Sequence, residues 1–333
     1  MRTRGFEVLY VGSARGFEAK VVPAKGFAFY TVKSGAVKNQ SWFKIGSTLL
    51  QLVQGFFWAW HFLRQQKPAA VIGVGGYVSV PVVLAAYFAR IPIYLQEQNA
   101  SVGIANRTLG RLARRIFLGF EEAKQWFPPD RTVFTGNPIR RDFHDPKLDS
   151  YHADGNRLLV VGGSQGARAI NEVLTDWLPE LEKKYPGIRI VHQTGVPDLE
   201  RTRQRYEAVA PGRHQVVAFI DDVAAAFASA SLVVGRSGAL TVSELIEVGR
   251  PSLFVPYPRT GQNDQTANAY LVERAGGARV VEQGERFKER FREAFQSIYR
   301  PDSLGRMQSC FSTLRKGNAL ANIADHICRD LAP

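Results

Sequence analysis

Two stretches of the chain pair a glycine-rich turn with the start of a helix, an arrangement suited to holding phosphate. In Arg157-Leu-Leu-Val-Val-Gly-Gly-Ser-Gln-Gly-Ala-Arg168 an apolar run ends in a glycine turn and passes into a helical pattern. Gly162, Gly163 and Gly166 let the backbone turn tightly and approach an anion, and the N–H groups at the positive end of the helix would stabilise a pyrophosphate. The spacing is not G-x-G-x-x-G, so taken alone the stretch reads equally well as a structural turn. Gly235-Arg-Ser-Gly-Ala-Leu-Thr-Val-Ser-Glu244 repeats the design. Ser237, Gly238 and Thr241 offer donors to phosphate, and Glu244, one turn into the helix, can accept from a ribose diol. The plain alternative is a capped helix with a solvent-facing glutamate.

The first half supplies Gly73-Val-Gly-Gly-Tyr-Val-Ser-Val-Pro81, Gln96-Glu-Gln-Asn-Ala100 and Gly136-Asn-Pro-Ile-Arg140. The first two end expected strands, where open α/β sheets place ligands. Gly75, Gly76 and Ser79 suit close approach to a diphosphate, Glu97 and Asn99 could orient sugar hydroxyls, and Arg140 could reach across a cleft to a phosphate. Singly, each is more often a turn.

These motifs need strands to carry them. Short β-branched runs alternate with helical stretches: 7–11, 70–73, 91–95, 115–118 and 132–134 in a first unit, then 157–161, 188–192, 215–219, 232–234, 252–255 and 279–281 in a second. The alternation implies two parallel sheets with crossover helices. The polar stretch 144–156 reads as a linker between domains 1–143 and 157–333. Arg2-Thr-Arg-Gly5 reads as the basic last turn and glycine stop of a helix whose body is absent; the plain alternative is a short disordered lead into an edge strand.

Charge divides along the same line. Residues 1–150 hold 20 Lys+Arg against 9 Asp+Glu, and no acidic residue lies between Glu18 and Glu97. A basic first half points to an anionic partner, nucleic acid or an anionic lipid leaflet, at about 1 kcal/mol per basic residue near a lipid surface; solvated surface lysines are the plain alternative. Cys310 and Cys328 have no ligand spacing, which argues against a disulfide framework or a zinc site. Residues 47–65 have a helical pattern with Leu49, Val53, Phe56, Trp60 and Leu63 on one face, which reads at least as well as the core face of a helix packed on the sheet. Trp58 falls in the polar stripe opposite, which predicts an interfacial ring; with Trp42 and Phe43 it forms an expected peripheral membrane contact.

In order and together, Gly75-Gly-Tyr-Val-Ser79, Glu97-Gln-Asn99, Gly136-Asn-Pro138, Gly162-Gly-Ser-Gln-Gly-Ala167, Phe219-Ile-Asp-Asp222, Ser237 to Glu244, Asp264-Gln265 and Asn268-Ala269 resemble the MurG family over nearly the whole chain. The resemblance implies an α/β chain of GT-B type: two Rossmann-like, doubly wound parallel-sheet domains facing a cleft, the first shortened at its N-terminus. The family's opening Gly-Gly-Thr-Gly-Gly-His loop, with its usual candidate base, has no counterpart; Gln96 replaces a usual His and Val80 a usual Gly. The implied activity is inverting transfer of N-acetylglucosamine from UDP-N-acetylglucosamine to lipid I, giving lipid II, at the cytoplasmic face of the inner membrane, with anionic lipids as partner and no nucleic acid, metal or cofactor. Carried over by position, Asn99, Arg140 and Ser164 contact the donor and Ile220 reads the uracil edge. Ala239, Leu240, Thr241, Val242, Ser243 and Glu244 cradle diphosphate and ribose, and Gln265 binds the sugar. Gly75, Gly76, Tyr77 and Ser79 take the acceptor diphosphate, and Glu97 is the fallback for proton abstraction or acceptor orientation. The competing readings are another UDP-sugar enzyme of this architecture, such as a glycolipid synthase or epimerase, a non-catalytic UDP-sugar-binding homologue at the membrane, and a nucleic-acid binder with steep salt dependence.

Overall fold

The computed structural model describes residues 1–33, 42–150, 155–163, 166–258 and 264–332, without the side chains of 42–47, 149, 150 and 264. Strands β1 (Leu9–Gly12), β2 (Ala28–Thr31), β3 (Val71–Gly73), β4 (Ile93–Glu97), β5 (Arg115–Leu118) and β6 (Thr132–Phe134) are followed by β7 (Arg157–Val161), β8 (Arg189–Gln193), β9 (Gln215–Val217), β10 (Leu232–Gly235), β11 (Ser252–Phe254) and β12 (Ala278–Val280). The helices are α1 (Glu18–Ala24), α2 (Trp42–Gln66), α3 (Ser79–Phe88), α4 (Ile104–Leu109), α5 (Arg168–Lys184), α6 (Leu199–Val209), α7 (Val223–Ser229), α8 (Ala239–Val248), α9 (Asp264–Arg274), α10 (Phe287–Ile298), α11 (Pro301–Ser309) and α12 (Ala319–Leu331). Of the strands only β2 lacks a counterpart among those expected; its four residues follow Gly26-Phe27 with no alternation long enough to mark them.

Two compact units emerge, one of Met1–Gln98, Val102–Thr135 and the chain from Leu320, the other of Asn99–Ser101 and Gly136–Ala319. Residues 136–143 thus belong to the second unit and the last helix to the first. Both placements have a physical cause: the 137–144 segment is tied by side chains to α8, as described below, and α12 covers one face of the first sheet. There Ile327 packs with Tyr94 and Phe117, whose rings stack at 6.1 Å, and the Arg115 fork grips Asp330, with Nη2 to Oδ1 at 2.7 Å. That guanidinium holds the Asp330 carboxyl below its ordinary range.

In the first unit β1 and β2 pair in parallel, and β3-β4-β5-β6 form a four-stranded parallel sheet. Alternate residues of β4 go to opposite faces, Tyr94 toward α12 and Ile93 and Leu95 into the core with α2 and α3. Burial on both faces explains the apolar run Ile93-Tyr-Leu95 that opens this strand.

Helix α2 lies on that core with only part of the expected face inward: Leu63 is buried and Phe56 and Trp60 pack against the core, while Leu49 and Val53 do not. Its buried positions are Thr48, Gly55, Ala59, Phe62 and Leu63, whereas Leu49 is 62% and Val53 45% exposed. The reason is close approach at a glycine: a Cβ on Gly55 would lie 2.3 Å from the Lys33 carbonyl and 3.3 Å from Pro81 of α3. Small residues therefore form the seam. Trp58 is half-buried and stacks on Phe62 at 5.1 Å, so it is a core-side ring rather than the outward one expected. The exposed apolar side chains are instead Leu49, Leu50, Val53 and Phe57, the last 65% exposed. Trp42 and Phe43 fall in the first turn of α2, and their side chains lie outside the described residues.

The second unit carries a six-stranded parallel sheet in the order β9-β8-β7-β10-β11-β12. From β7 the order runs outward through β8 and β9 on one side and through β10, β11 and β12 on the other. The reversal between β7 and β10 is a topological switch point, outside whose carboxyl ends open α/β sheets bind ligands. One face is filled by Trp177, Leu174 and Leu178 of α5, Tyr206 of α6, and Phe291 and Phe295 of α10.

Candidate functional site

Both glycine turns open at the switch point. Val161, the last residue of β7, is the register partner of Gly235, the last of β10, so the turns start side by side. The first leads through Gly162, Gly163 and Gly166 to α5; Ser164 and Gln165 lie outside the described residues. Gly166 has φ +75°, and a Cβ there would lie 2.4 Å from the Thr194 carbonyl at the end of β8, so only glycine lets the turn pass. The second turn leads through Arg236, Ser237 and Gly238 to α8. Neither α5, which starts after Ala167, nor α8, which starts after Gly238, has a capping side chain on its first-turn amides. Two neighbouring helix starts with amides left uncapped by side chains make a site for an anion.

The expected ligand residues on α8 hold partners of their own. Glu244 is 8% exposed, and Arg140 Nε donates to its Oε1 at 2.9 Å. Burial pushes the Glu244 carboxyl up from its ordinary value, and Arg140 pulls it part of the way back. Asn137 Nδ2 donates to Ser243 Oγ at 3.0 Å, and His144 Nδ1 stands 3.2 Å from Glu247 Oε1, so the 137–144 segment is fastened along one face of α8. Arg140 therefore acts from within the second unit. Of the other α8 residues, Val242 is fully buried, Ala239 nearly so, Thr241 is half-buried and Leu240 is 49% exposed. Ile220 is half-buried just after β9, and Asp222 caps α7 by accepting from the Ala225 N–H at 2.9 Å.

Helix α9 presents Gln265 and, one turn on, Asn268 on the same side. Gln265 Oε1 accepts from the Tyr257 N–H at 3.0 Å, and its carbonyl accepts from Ser237 Oγ at 2.8 Å. Asn268 is fully buried: its Oδ1 accepts from the Ala100 N–H at 2.9 Å, and its Nδ2 donates to Asn99 Oδ1 at 3.2 Å and the Ser237 carbonyl at 3.3 Å. It fastens the 99–101 segment to the second turn, a role sequence reasoning missed, although its three-residue spacing from Gln265 was the available signal. Arg236 was missed too. Its Nη1 donates to the carbonyls of Val255 at 2.9 Å and Pro256 at 3.0 Å and to Gln283 Oε1 at 3.1 Å.

In the first unit, Ser79 Oγ closes the turn after β3 by donating to the Gly75 carbonyl at 2.7 Å, with Gly76 and half-buried Tyr77 between them. Glu97, at the end of β4, is 2% exposed, and its Oε2 accepts from Asn106 Nδ2 at 3.0 Å. Among the described residues no group of three or more His, Cys, Asp or Glu side chains could hold a metal ion, and no helix is long and apolar enough to cross a membrane.

The sequence and fold resemble those of known proteins. Residues 157–327 match the glycosyltransferase family 28 C-terminal domain and residues 1–118 its N-terminal domain. Over 98% of this chain and 85% of their own, the sequence is 38% identical to the UDP-N-acetylglucosamine--N-acetylmuramyl-(pentapeptide) pyrophosphoryl-undecaprenol N-acetylglucosamine transferase of Myxococcus xanthus and 40% identical to that of Anaeromyxobacter dehalogenans. The chain belongs to the MurG family. A crystal structure of Acinetobacter baumannii MurG superposes with a TM-score of 0.82 at 29% identity, covering 98% of this chain and 92% of that one. The fold is accordingly GT-B, with two parallel-sheet domains, and in this MurG-family chain the switch-point turns fall within the family's C-terminal domain.

Proposed function

We propose that the chain transfers N-acetylglucosamine from UDP-N-acetylglucosamine to lipid I, yielding lipid II for peptidoglycan synthesis. The observation that carries the reading is the pair of helix starts at the β7–β10 switch point with Glu244 and Arg140 beside them. The donor diphosphate lies on the amides that open α5 and α8, with Ser164 at the first turn and Ala239 to Ser243 at the second. Glu244 accepts from the ribose diol, Ile220 reads the uracil edge through its backbone, and Asn99 and Gln265 contact the sugar. Arg140 leaves Glu244 for a donor phosphate when the ribose takes its place.

The 4-hydroxyl of the acceptor's N-acetylmuramic acid attacks the anomeric carbon, inverting it, as the bond to UDP breaks, and the hydroxyl's proton passes to solvent water. Charge growing on UDP is stabilised by the helix starts, each contributing up to about 2 kcal/mol in a partly buried setting, and by Arg140. Gly75, Gly76, Tyr77 and Ser79 hold the acceptor diphosphate. Glu97, buried and hydrogen-bonded to Asn106, suits orientation of the acceptor better than proton abstraction. The chain docks peripherally on an anionic leaflet, at the cytoplasmic face, through Leu49, Leu50, Val53 and Phe57, with the acid-free stretch 19–96 supplying positive charge.

Titration of UDP against the parent, E244A and R140A tests the donor site. Loss of a hydrogen bond to a charged group, about 1.5–3 kcal/mol, weakens E244A binding about 10- to 100-fold. Parent-like affinity in both variants would place the nucleotide elsewhere.

A further inference from the structure

Arg236 has no part in the chemistry above, yet it is a cation drawn partly out of water in the second turn, and burial lowers its pKa. Among the described residues it pairs with no carboxylate. Its hydrogen bonds go to the carbonyls of Val255 and Pro256 and to the Gln283 side chain, and its guanidinium stands 5.3 Å from the Tyr257 ring centroid. Val255 and Pro256 directly precede Tyr257, whose N–H donates to Gln265 Oε1, and the Gln265 carbonyl accepts from Ser237, the neighbour of Arg236. The contacts close a ring: Arg236, the 255–257 backbone, Gln265, Ser237 and back to Arg236. The ring fixes the Gln265 carboxamide. Oε1 is held by a main-chain donor, which fixes the plane of an amide that carries both an acceptor and donors. An amide so held recognises a hydroxyl oxygen by its position.

We propose that Arg236 is a positioning residue for donor-sugar selection: by clamping the Val255–Tyr257 backbone it holds Gln265 where its carboxamide distinguishes hydroxyl stereochemistry on the transferred sugar. This rests on Gln265 contacting the sugar. The discriminating pair is UDP-N-acetylglucosamine and UDP-N-acetylgalactosamine, which differ only in the orientation of one hydroxyl. A site that hydrogen-bonds a hydroxyl rejects an analogue that misplaces it, provided the site itself does not move.

The test measures kcat/KM for both donors with a short-chain lipid I analogue, in the parent, R236K, R236Q, Q283A, Q265A and R236K/Q265A, together with UDP affinity by calorimetry. R236K keeps the charge but not the planar fork that spans several acceptors. R236K and R236Q each lower the preference for UDP-N-acetylglucosamine about tenfold, and their UDP affinity stays within about twofold of the parent, since the diphosphate site is not what moves. Q283A, which loosens the clamp from its far end, shifts the preference the same way by less, and it decides the matter if the Arg236 variants do not fold. R236K/Q265A is no less selective than Q265A alone, because both changes remove one device. An unchanged preference in the Arg236 variants and Q283A while Q265A loses selectivity would overturn the proposal and leave the Gln265 contact standing. Unchanged preference in Q265A as well would remove that contact and the inference with it. A parallel fall in UDP affinity would make Arg236 a brace for the whole turn and also overturn the proposal.

Discussion

Replacing Asn268 with alanine should damage both stability and donor binding, because one fully buried amide holds together three pieces of the second unit. The change removes hydrogen bonds to the Ala100 N–H, Asn99 Oδ1 and the Ser237 carbonyl. Ala100 is itself only 6% exposed, so its N–H is left without a partner and away from water. An orphaned buried donor costs about 1–3 kcal/mol, and two further hydrogen bonds cost about 1 kcal/mol each, for a total of about 3–5 kcal/mol. In a unit of this size, at about 2–4 °C per kcal/mol, that lowers the melting temperature by about 6–20 °C. Calorimetry with and without UDP-N-acetylglucosamine reads both effects, and the ligand should weaken about tenfold as Asn99 and the Ser237 turn lose their common anchor. N268D gives an internal check. Its carboxylate still accepts from Ala100 but sets a second oxygen against the Ser237 carbonyl, so it is at least as damaging at neutral pH and recovers as the pH falls and the carboxyl gains a proton to donate. An N268A protein that melts within about 2 °C of the parent and binds donor equally well would refute the reasoning.

Other substitutions separate neighbouring roles. Gly163 and Gly166 both have positive φ, but a Cβ on Gly163 meets nothing within 4 Å whereas one on Gly166 meets the Thr194 carbonyl at 2.4 Å. G163A should therefore lose about 1–2 kcal/mol for the left-handed backbone alone, and G166A at least twice that together with UDP binding; equal losses in urea titrations would contradict this. Burial lowers the His192 pKa from 6.5 to about 3. The unfolded chain takes up a proton below pH 6.5 while the folded chain resists until about 3, so stability falls as pH drops through that window. H192Q should be less stable at pH 7, having lost the fit to Asn171 and Tyr206, but should lose less on acidification; parallel pH profiles would argue against it. On the lipid-facing proposal, F57D should weaken binding to anionic vesicles about 10- to 100-fold, the value of burying one large apolar side chain. W58A should instead lower the melting temperature, and the reverse pattern in sedimentation and melting would return Trp58 to the surface.

The strands were legible because parallel strands largely buried on both faces are apolar runs: residues 116–118 and 158–160 stand where sequence places them. The glycine turns were legible as punctuation, but their adjacency was not. That follows from strand order, which local sequence does not carry, and only the pairing of Val161 with Gly235 puts both helix starts at one place. The inward face of α2 was legible only in part, at Phe56, Trp60 and Leu63, because hydrophobic periodicity counts large side chains, whereas the seam there is also set by the absence of one at Gly55. Arg140 and Glu244 were each marked as ligand residues, yet nothing local said that they pair with each other; the contact joins residues far apart in the chain. Asn268 and Arg236 act by holding backbone, and a polar residue that does so looks in sequence like any other near a turn.

The most direct test of the central claim is transfer of labelled N-acetylglucosamine from its UDP donor to a short-chain lipid I analogue by the 333-residue chain, with the product's anomeric configuration determined. The expected product carries the sugar on the muramic acid 4-hydroxyl with inverted configuration and forms in amounts equal to the UDP released. UDP release without labelled lipid, or a retained configuration, would contradict it.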